Sequence, residues 1–259
     1  MKHISLMPVS LLLAGAALVT VGVAPLSAQT VTAKMKAAVA DPARPEADTK
    51  RDEGRKPAEM LAFAGITPGK VVVDLLPGSG YFTRIFAKAV EPGGRVYAYF
   101  GTQYDARLKS QGKDPDNQFA DLKHIYPNLG AIHGPLPDFV TPQKVDVVWT
   151  SLNYHDMHNK SYDMDVNAVN KAVFNSLKPG GYYVIVDHRA AADAADDVTE
   201  KLHRIKESTV KQEVEAAGFK LVAESKALAN PDDNHNERVF ESDIRGHTDQ
   251  MVLKFQKPR

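Results

Sequence analysis

Apolar positions along the chain alternate between two spacings, one typical of buried strands and the other of amphipathic helices. Residues 71–75 (VVVDL) form an almost continuous apolar run, the pattern of a strand buried on both faces. Apolar residues then recur at helical spacing, at Phe82, Ile85, Phe86, Ala89 and Val90. The two patterns predict a β-strand and an α-helix joined by the glycine turn LPGSG at 76–80.

The alternation continues to the end of the chain. Further strands are predicted at 92–100, 129–134, 144–152, 182–187, 220–228 and 251–257. Further helices are predicted at 116–126, 163–177 and 210–219, the last capped by Gly218. Repeated strand-then-helix units favour an α/β fold with a doubly wound, mostly parallel sheet and right-handed crossovers. Trp149 lies within a predicted strand and is expected to be a core residue.

The first residues carry the pattern of an export signal. Lys2 and His3 precede an apolar stretch at about 11–23, and small residues up to Ala28 follow a proline. We therefore predict a signal peptide at 1–28, cleaved near Ala28, and a periplasmic or secreted protein. A membrane anchor is the alternative, although the apolar stretch is shorter than the ~20 residues that a spanning helix needs.

Residues 29–56 separate this segment from the alternating region, and we call them the arm. They are rich in alanine, proline and charge and show no sustained apolar period, so an extended arm is expected, with a disordered linker as the alternative. Pro57 suits the first turn of a short helix that ends at Gly65. The predicted organisation is a signal peptide at 1–28, the arm at 29–56 and one domain at 57–259.

Composition narrows the chemistry that is open to this chain. It contains no cysteine, which excludes disulfides, thiolate nucleophiles and cysteine-ligated metal sites. Its 32 basic and 32 acidic residues give a formal net charge of zero, so no global field favours nucleic acid or an acidic membrane surface. A small molecule is the expected partner, with no membrane anchoring after cleavage, and the oligomeric state stays open.

Three stretches resemble a known family: VVVDLLPGSGYFT at 71–83, SLKPGGYYVIVD at 176–187 and VEAAGFKLV at 214–222. They resemble the class I methyltransferases that bind S-adenosylmethionine. More narrowly, RDEGRKPAEML at 51–61, NYHDMH at 153–158 and IRGHTDQMVLKF at 244–255 look like a group of exported bacterial methyltransferase-like proteins. The resemblance implies a Rossmann-like sheet of seven strands with an antiparallel last strand, and a ligand over the carboxyl ends of the strands.

The same comparison shows departures from the family pattern. Leu76 replaces the first glycine that the family places after an acidic residue, whereas Asp74, Gly78 and Gly80 fit. The family ends its second strand with an acid that accepts hydrogen bonds from the ribose hydroxyls, and this chain has Tyr99, Phe100 and Gly101 there. The ribose contact is therefore missing or rebuilt, with Asp105 some way downstream.

The expected cofactor contacts lie in the glycine turn and after the fourth strand. Gly78 and Gly80 allow the backbone to approach a ligand closely, and the amides that open the following helix form a weak anion site. A tight turn without a ligand is the alternative. The candidate cofactor-binding residues are Asp74, Gly78, Ser79, Gly80, Tyr81 and Asn153.

The densest group of polar residues, SLNYHDMHNKSYD at 151–163, directly follows the fourth strand. Since open α/β sheets bind ligands at the carboxyl ends of their strands, these side chains and those after the fifth strand are expected to converge. His155 is the preferred general base, with Asp156 or Asp187 orienting its ring. The candidate catalytic residues are Tyr154, His155, Asp156, Asp187 and His188. An ordinary polar turn with exposed histidines is the alternative.

Two segments are candidates for closing the site. Residues 230–249 form a polar insertion between the last two strands, and its side chains His235, Arg238 and Arg245 are able to reach a substrate carboxylate. In the arm, Arg51, Asp52 and Arg55 are candidates to cover the cofactor cleft. Surface charges without a role are the alternative for both segments.

These observations support three functions. The first is methyl transfer from S-adenosylmethionine to an oxygen or nitrogen of a small molecule. The second is an exported small-molecule-binding module that retains the fold without transfer chemistry. The third is a metal-assisted enzyme whose metal is held by His155, His158, His188 and an aspartate.

Overall fold

The computed structural model describes residues 30–259. The predicted signal peptide at 1–28 lies outside the described residues. Within residues 30–259, no helix combines the length and the apolar character that crossing a bilayer requires.

Seven strands form one sheet in the order β3-β2-β1-β4-β5-β7-β6. The strands are β1 Val71–Leu75, β2 Arg95–Gly101, β3 Leu129–Gly134, β4 Val145–Ser151, β5 Leu177–His188, β6 Lys220–Ser225 and β7 Gln250–Gln256. The first five pair in parallel, and β7 is antiparallel to both of its neighbours, β5 and β6. The expected α/β fold with a seven-stranded, mostly parallel sheet and an antiparallel last strand is confirmed.

Helices cover both faces of the sheet. They are α1 Ala33–Val39, α2 Glu46–Thr49, α3 Asp52–Arg55, α4 Pro57–Ala64, α5 Tyr81–Ala89, α6 Thr102–Ser110, α7 Ala120–Ile125, α8 Val166–Ser176, α9 Val198–Leu202 and α10 Glu207–Ala216. One core lies between the sheet and α1, α4 and α5, and the other lies between the sheet and α8 and α10. Trp149 is fully buried in the first core, with its ring centroid 4.7 Å from that of Phe82, so its predicted core position is confirmed.

The arm differs from the expectation of extended backbone, because residues 33–55 contain α1, α2 and α3. Thr32 caps α1 by accepting a hydrogen bond from the amide of Met35, and Met35 and Ala38 are buried in the core. Two apolar residues three positions apart are enough to dock a two-turn helix on a preformed surface, but they are too few to produce a recognisable period.

Two further differences from the prediction concern helices α6 and α7. Helix α6 was not predicted, since only Leu108 of its nine residues is buried and a helix with so little apolar surface leaves no periodic signal. The helix expected at 116–126 is instead a 3₁₀ turn at Pro115–Asn117 followed by α7, because Phe119 has a left-handed backbone with φ 65°.

The long connection between β6 and β7, residues 226–249, contains no helix or strand. A buried ion pair fixes its fold: the guanidinium of Arg204 donates to both carboxylate oxygens of Asp233, at 2.8 and 3.0 Å. The same guanidinium donates to the carbonyls of Arg189 and Glu237. These hydrogen bonds hold the β6–β7 connection over the carboxyl ends of the central strands.

Candidate functional site

The turn from β1 to α5, residues 76–80, lies at the carboxyl edge of the sheet. Its backbone is left-handed at Leu76, Gly78 and Gly80, with φ of 60°, 56° and 85°. A Cβ on Gly80 would lie 2.7 Å from the ring of Phe119, whereas a Cβ on Gly78 would meet no atom within 4 Å. Gly80 is therefore required by packing, and Gly78 presents bare backbone to open space.

Asp74 lies buried beneath this turn. Its carboxylate accepts a hydrogen bond of 2.6 Å from the hydroxyl of Thr83, in the first turn of α5. Burial raises the pKa of Asp74 to about 7, and the hydrogen bond from Thr83 offsets only part of that effect. The carboxyl of Asp74 therefore changes charge near neutral pH.

Asn153 ties the segment after β4 to the glycine turn. Its side-chain amide donates to the carbonyl of Leu76 at 3.0 Å and to the carbonyl of Ser151 at 2.6 Å. Its neighbour Leu152 is a second leucine in a left-handed conformation, with φ 60°. Strained backbone of this kind persists only where its surroundings enforce it, and here it occurs at the ends of two adjacent strands.

A cavity of about 200 Å³, which we call cavity A, opens beside the turn. Its lining residues are Leu76, Pro77, Gly78, Phe100, Gly101, Gln103, Tyr104, Arg107, Leu136, Asn153, Asp156, Met157, Tyr162 and Met164. Asp156 supplies the one carboxylate of this lining. Asp105 lies outside it and contacts Nδ1 of His133 at 2.8 Å, so it does not replace the acid that is absent from the end of β2.

A larger cavity of about 760 Å³, cavity B, is lined in part by Leu152, the chain neighbour of Asn153 in cavity A. Its lining residues are Lys50, Arg51, Glu53, Gly54, Arg55, Leu152, His188, Val239, Phe240, Arg245, Gly246, His247 and Gln250. The arm and the β6–β7 connection meet here, since a Cβ on Gly54 would lie 3.3 Å from the carbonyl oxygen of Gly246. Both segments that were expected to cover the site line this cavity.

Tyr81 anchors the arm and lines neither cavity. Its hydroxyl donates to Asp52 at 2.6 Å, and the guanidinium carbons of Arg44, Arg51 and Arg55 lie 5.3, 4.8 and 4.7 Å from its ring centroid. Arg44 pairs with Asp52 and Arg51 with Asp48. Among residues 30–259, no carboxylate lies within 4.0 Å of the Arg55 guanidinium, which therefore remains available to a ligand in cavity B.

His155 and Asp187 form a buried pair, as expected from their positions after adjacent strands. The ring Nδ1 of His155 lies 2.7 Å from Oδ1 of Asp187, and Oδ2 of the same carboxylate accepts the backbone amide of His155 at 2.7 Å. Despite the burial of its ring, the negative charge of Asp187 raises the pKa of His155. His155 lines neither cavity, and its Nε2 atom lies 3.4 Å from the carboxylate of Asp156, which lines cavity A.

A third histidine, which the sequence analysis did not single out, joins this pair. Nδ1 of His203 lies 3.6 Å from Oδ1 of Asp156, and Nε2 of His155 lies 3.4 Å from that oxygen. His203 ends the short helix α9, far along the chain from the other two residues. No sequence signal pointed to it, since it is a single histidine outside any polar cluster.

His188 lines cavity B. Its Nδ1 lies 2.7 Å from the hydroxyl oxygen of Thr248, which leaves Nε2 as the ring nitrogen available to a ligand. Burial lowers the pKa of His188 to about 4, so its ring is neutral at neutral pH.

Two residues of the predicted polar cluster point away from the site. Tyr154 is fully buried in the second core, where its hydroxyl donates to Glu213 at 2.9 Å and accepts from Asn170 at 2.7 Å. His158 contacts the same glutamate through Nε2, at 3.1 Å. Tyr154 lines neither cavity, because its side chain packs into the core between the sheet and α8 and α10.

The alternative metal set of His155, His158 and His188 is not brought together within residues 30–259. His158 is held by Glu213 and His188 by Thr248, so the three rings do not face a common point. In the β6–β7 connection, Nε2 of His235 lies 3.0 Å from Asp249, so its ring is engaged within the connection. Arg245 lines cavity B, whereas Arg238 lines neither cavity.

Comparison with known proteins gives one curated relative and many structural ones. No protein-family model matches the chain. The ubiquinone/menaquinone biosynthesis C-methyltransferase UbiE of Hydrogenovibrio crunogenus is 23% identical over 194 residues, covering 75% of this chain. The match spans 66% of the relative, slightly less than two thirds of its length.

Among solved structures, the 1,6-didemethyltoxoflavin-N1-methyltransferase of Burkholderia thailandensis, crystallised with S-adenosylhomocysteine, superposes with a TM-score of 0.56. It is 17% identical and covers 83% of this chain and 82% of its own. The chain has the class I methyltransferase fold. Another structure with this fold, the [4+2]-cyclase SpnF, gives a TM-score of 0.54 at 13% identity, covering 82% of this chain and 81% of its own. The class I methyltransferase fold therefore includes a protein whose name describes a different reaction.

Proposed function

We propose that this protein is an S-adenosylmethionine-dependent methyltransferase that acts on a small molecule. The observation that carries the proposal is cavity A, which lies at the carboxyl edge of the sheet and is lined by Leu76, Pro77 and Gly78 of the glycine turn. Cavity B, whose lining includes Leu152, adds to it. Open α/β sheets bind their ligands in this position. The relatives named above support the choice of cofactor, since UbiE is a methyltransferase and the toxoflavin enzyme was crystallised with S-adenosylhomocysteine.

The residues present at this edge fit such a cofactor. Gly78 presents backbone without a Cβ, so a ligand is able to lie against it. Asp74, once ionised, is suited to an ammonium group, and the unpaired guanidinium of Arg55 to a carboxylate. In place of the missing acid at the end of β2, Gln103 and Tyr104 offer polar side chains to the ribose from cavity A.

When bound, the cofactor would supply a methyl group on a sulfonium for transfer to a nucleophile. The chain's contribution is to align that nucleophile and to exclude water, which is the main source of acceleration in such a reaction. His188 is placed to hold the nucleophile from cavity B, because Thr248 occupies Nδ1 and leaves Nε2 available. The expectation of His155 as general base stays a prediction, and His188 is the more direct contact because it lines cavity B whereas His155 lines neither cavity.

Calorimetric titration with S-adenosylmethionine and S-adenosylhomocysteine tests cofactor binding. The key variant is Gly78→Asp, which would place a side chain in the space that the ligand is proposed to occupy. Gly69→Asp is the matched control: Gly69 also has a left-handed backbone with free space around its Cβ, but it lies before β1, at the opposite edge of the sheet. We expect micromolar binding by the wild-type protein and by Gly69→Asp, and a loss of at least tenfold in Gly78→Asp. Equal affinities in the two variants, or no binding by folded wild-type protein, would refute cofactor binding at this turn.

A second candidate function is a binding module or an enzyme of another class that uses the same fold without methyl transfer. The absence of an acid at the end of β2 favours it, because the usual ribose contact is lost, and SpnF has the same fold under the name of a cyclase. Release of S-adenosylhomocysteine during incubation with candidate acceptors separates the two functions. If the protein binds S-adenosylmethionine but releases no S-adenosylhomocysteine with any acceptor, the result would favour a function without methyl transfer.

We also propose that the protein is exported. The support is the sequence of residues 1–28, with a basic start, an apolar stretch and small residues before the predicted cleavage site. Fractionation of the source cells, followed by N-terminal sequencing of the purified protein, tests this proposal. A mature N-terminus near Gln29 in the periplasmic or extracellular fraction is expected, and an intact N-terminus in the cytoplasmic fraction would contradict it.

A further inference from the structure

Three side chains bring metal-binding atoms together next to cavity A. Nε2 of His155, a carboxylate oxygen of Asp156 and Nδ1 of His203 all lie within 4.8 Å of one another. Within residues 30–259, no other group of three or more histidines and carboxylates meets this criterion. The cluster differs from the set that the sequence suggested, since His203 takes the place of His158 and His188.

The two separations that involve Asp156 match those around a metal ion. Ligand atoms bound at 2.0–2.2 Å in a tetrahedron lie about 3.3–3.6 Å from one another. The oxygen of Asp156 is 3.4 Å from the His155 nitrogen and 3.6 Å from the His203 nitrogen. The ring of His155 is hydrogen-bonded to Asp187, and the contacts of both imidazoles with Asp156 are longer than an ordinary charge-assisted hydrogen bond.

Asp187 fixes the orientation of His155, the most buried of the three proposed metal ligands. Its two oxygens accept from the Nδ1 atom and the backbone amide of His155, and one of them also accepts the amide of His188. With Nδ1 held in this way, Nε2 is the atom left for a metal. A carboxylate that orients a histidine through its second nitrogen is the usual support of a metal-binding imidazole.

His203 has a left-handed backbone with φ 53°. This conformation is uncommon outside glycine, and asparagine, aspartate and histidine adopt it more often than other residues. Its ring lies edge-on to His155, with centroids 5.5 Å apart, and is covered by Phe240, whose centroid is 4.8 Å away. The outer side of the cluster is open, since the Asp156 side chain is 36% exposed and lines cavity A.

We propose that His155, Asp156 and His203 bind one divalent transition-metal ion, with an open coordination position toward cavity A. Two imidazoles and one carboxylate suit Zn²⁺, Fe²⁺, Mn²⁺ or Co²⁺. They do not suit Ca²⁺ or Mg²⁺, which prefer sites made of oxygen ligands. The ion would contact a water molecule or an oxygen of the substrate from this position. The proposal does not depend on methyl transfer.

The test is the titration of chelator-treated, purified full-length protein with Zn²⁺ alone, by calorimetry, together with the visible spectrum of the Co²⁺ form. We expect one ion per chain and the absorption bands of tetrahedral Co²⁺. The key variant is His203→Asn, because asparagine tolerates the left-handed backbone and removes the imidazole. It is expected to weaken Zn²⁺ binding at least 100-fold, and Asp187→Asn about tenfold or more.

His158→Asn is the matched control, since it removes a histidine of the same 3₁₀ turn that is held by Glu213 and lies outside the cluster. Unchanged Zn²⁺ affinity in this variant supports the proposal. Wild-type protein that binds no stoichiometric ion, or equal losses in His158→Asn and His203→Asn, would overturn it. Circular dichroism verifies that each variant is folded. S-adenosylhomocysteine binding, measured on the same samples, separates failure of the metal site from failure of the proposed cofactor site.

Discussion

Asp74 is a buried carboxyl whose charge depends on pH near neutrality. Its pKa is raised to about 7 because burial disfavours the carboxylate. In the unfolded chain the same group ionises near pH 4. Between pH 4 and 7 the folded state therefore holds a proton that the unfolded state has lost, and Asp74 reduces stability as the pH rises. A buried group that costs stability and lies directly before the glycine turn is a candidate for binding a ligand.

The pKa of Asp74 predicts pH-dependent binding of a ligand that carries an ammonium group. Because the carboxylate forms as the pH rises through 7, the affinity for S-adenosylhomocysteine should increase about tenfold from pH 6 to pH 8. Asp74→Asn should bind at least tenfold more weakly at pH 8, with no such increase. Calorimetric titrations at several pH values measure both effects.

Asp121→Asn is the control for this experiment, since Asp121 is an exposed acid on α7. It should retain the pH dependence of the wild-type protein. If the affinity of the wild-type protein for S-adenosylhomocysteine stays constant between pH 6 and 8, the carboxylate of Asp74 does not contact the ammonium group of the ligand.

At the scale of elements, the arm is held to the domain by charged groups around Tyr81. The guanidinium of Arg44 donates to both oxygens of Asp52, at 2.9 and 2.6 Å, and the side chain of Arg44 is fully buried. Asp52 also accepts the hydroxyl of Tyr81, the first residue of α5. Helix α3 is thereby fixed against the helix that follows the glycine turn, so the position of Arg55 in cavity B depends on this network.

Loss of the Asp52 charge should destabilise the arm. Asp52→Asn leaves the Arg44 guanidinium buried without a counter-charge, and we expect the free energy of unfolding to fall by about 3 kcal/mol. Glu46→Gln is the control. It removes the ion pair with Lys50, whose two side chains are 72% and 80% exposed, and should cost less than about 0.5 kcal/mol. Urea denaturation measures both values, and equal effects would contradict the role assigned to Asp52.

At the scale of the whole molecule, two segments that are distant in sequence close the same cavity. The arm contributes Lys50 to Arg55 to cavity B, and the β6–β7 connection contributes Val239 to His247. The first is fixed by the Arg44–Asp52 pair and the second by the Arg204–Asp233 pair. A ligand that fills cavity B contacts both segments and should therefore order them together.

Hydrogen exchange with and without saturating S-adenosylhomocysteine tests this coupling. Slower exchange is expected in three segments at once, at 50–55, 76–80 and 239–247, because the ligand is proposed to bridge them. Residues 139–144 precede β4 at the opposite edge of the sheet and should exchange at the same rate in both states. Protection confined to 76–80 would mean that the ligand does not reach cavity B.

Much of this arrangement is predictable from the sequence, because the information is local. The apolar run at 71–75 and the spacing of apolar residues from Phe82 to Val90 predicted β1 and α5. They could do so because the buried positions of a regular helix or strand recur at a fixed spacing along the chain. The order of strands and helices gave the doubly wound sheet, because crossovers between parallel strands are almost always right-handed. The meeting of His155 with Asp187 followed from the parallel alignment of β4 and β5, which brings their carboxyl ends to one edge.

Tertiary structure alone decided which of the neighbouring polar side chains share a site. Tyr154 and His155 are adjacent in sequence, yet the first lies in the core against Glu213 and the second faces Asp156. His203 reaches the same cluster from α9, although nothing in its own segment marks it. Side-chain direction within an irregular turn, and the docking of segments far apart in the chain, depend on packing between elements. The apolar pattern along one element does not contain information about such packing. The fold of the sheet could be predicted without it, because the fold depends only on the type and order of the elements.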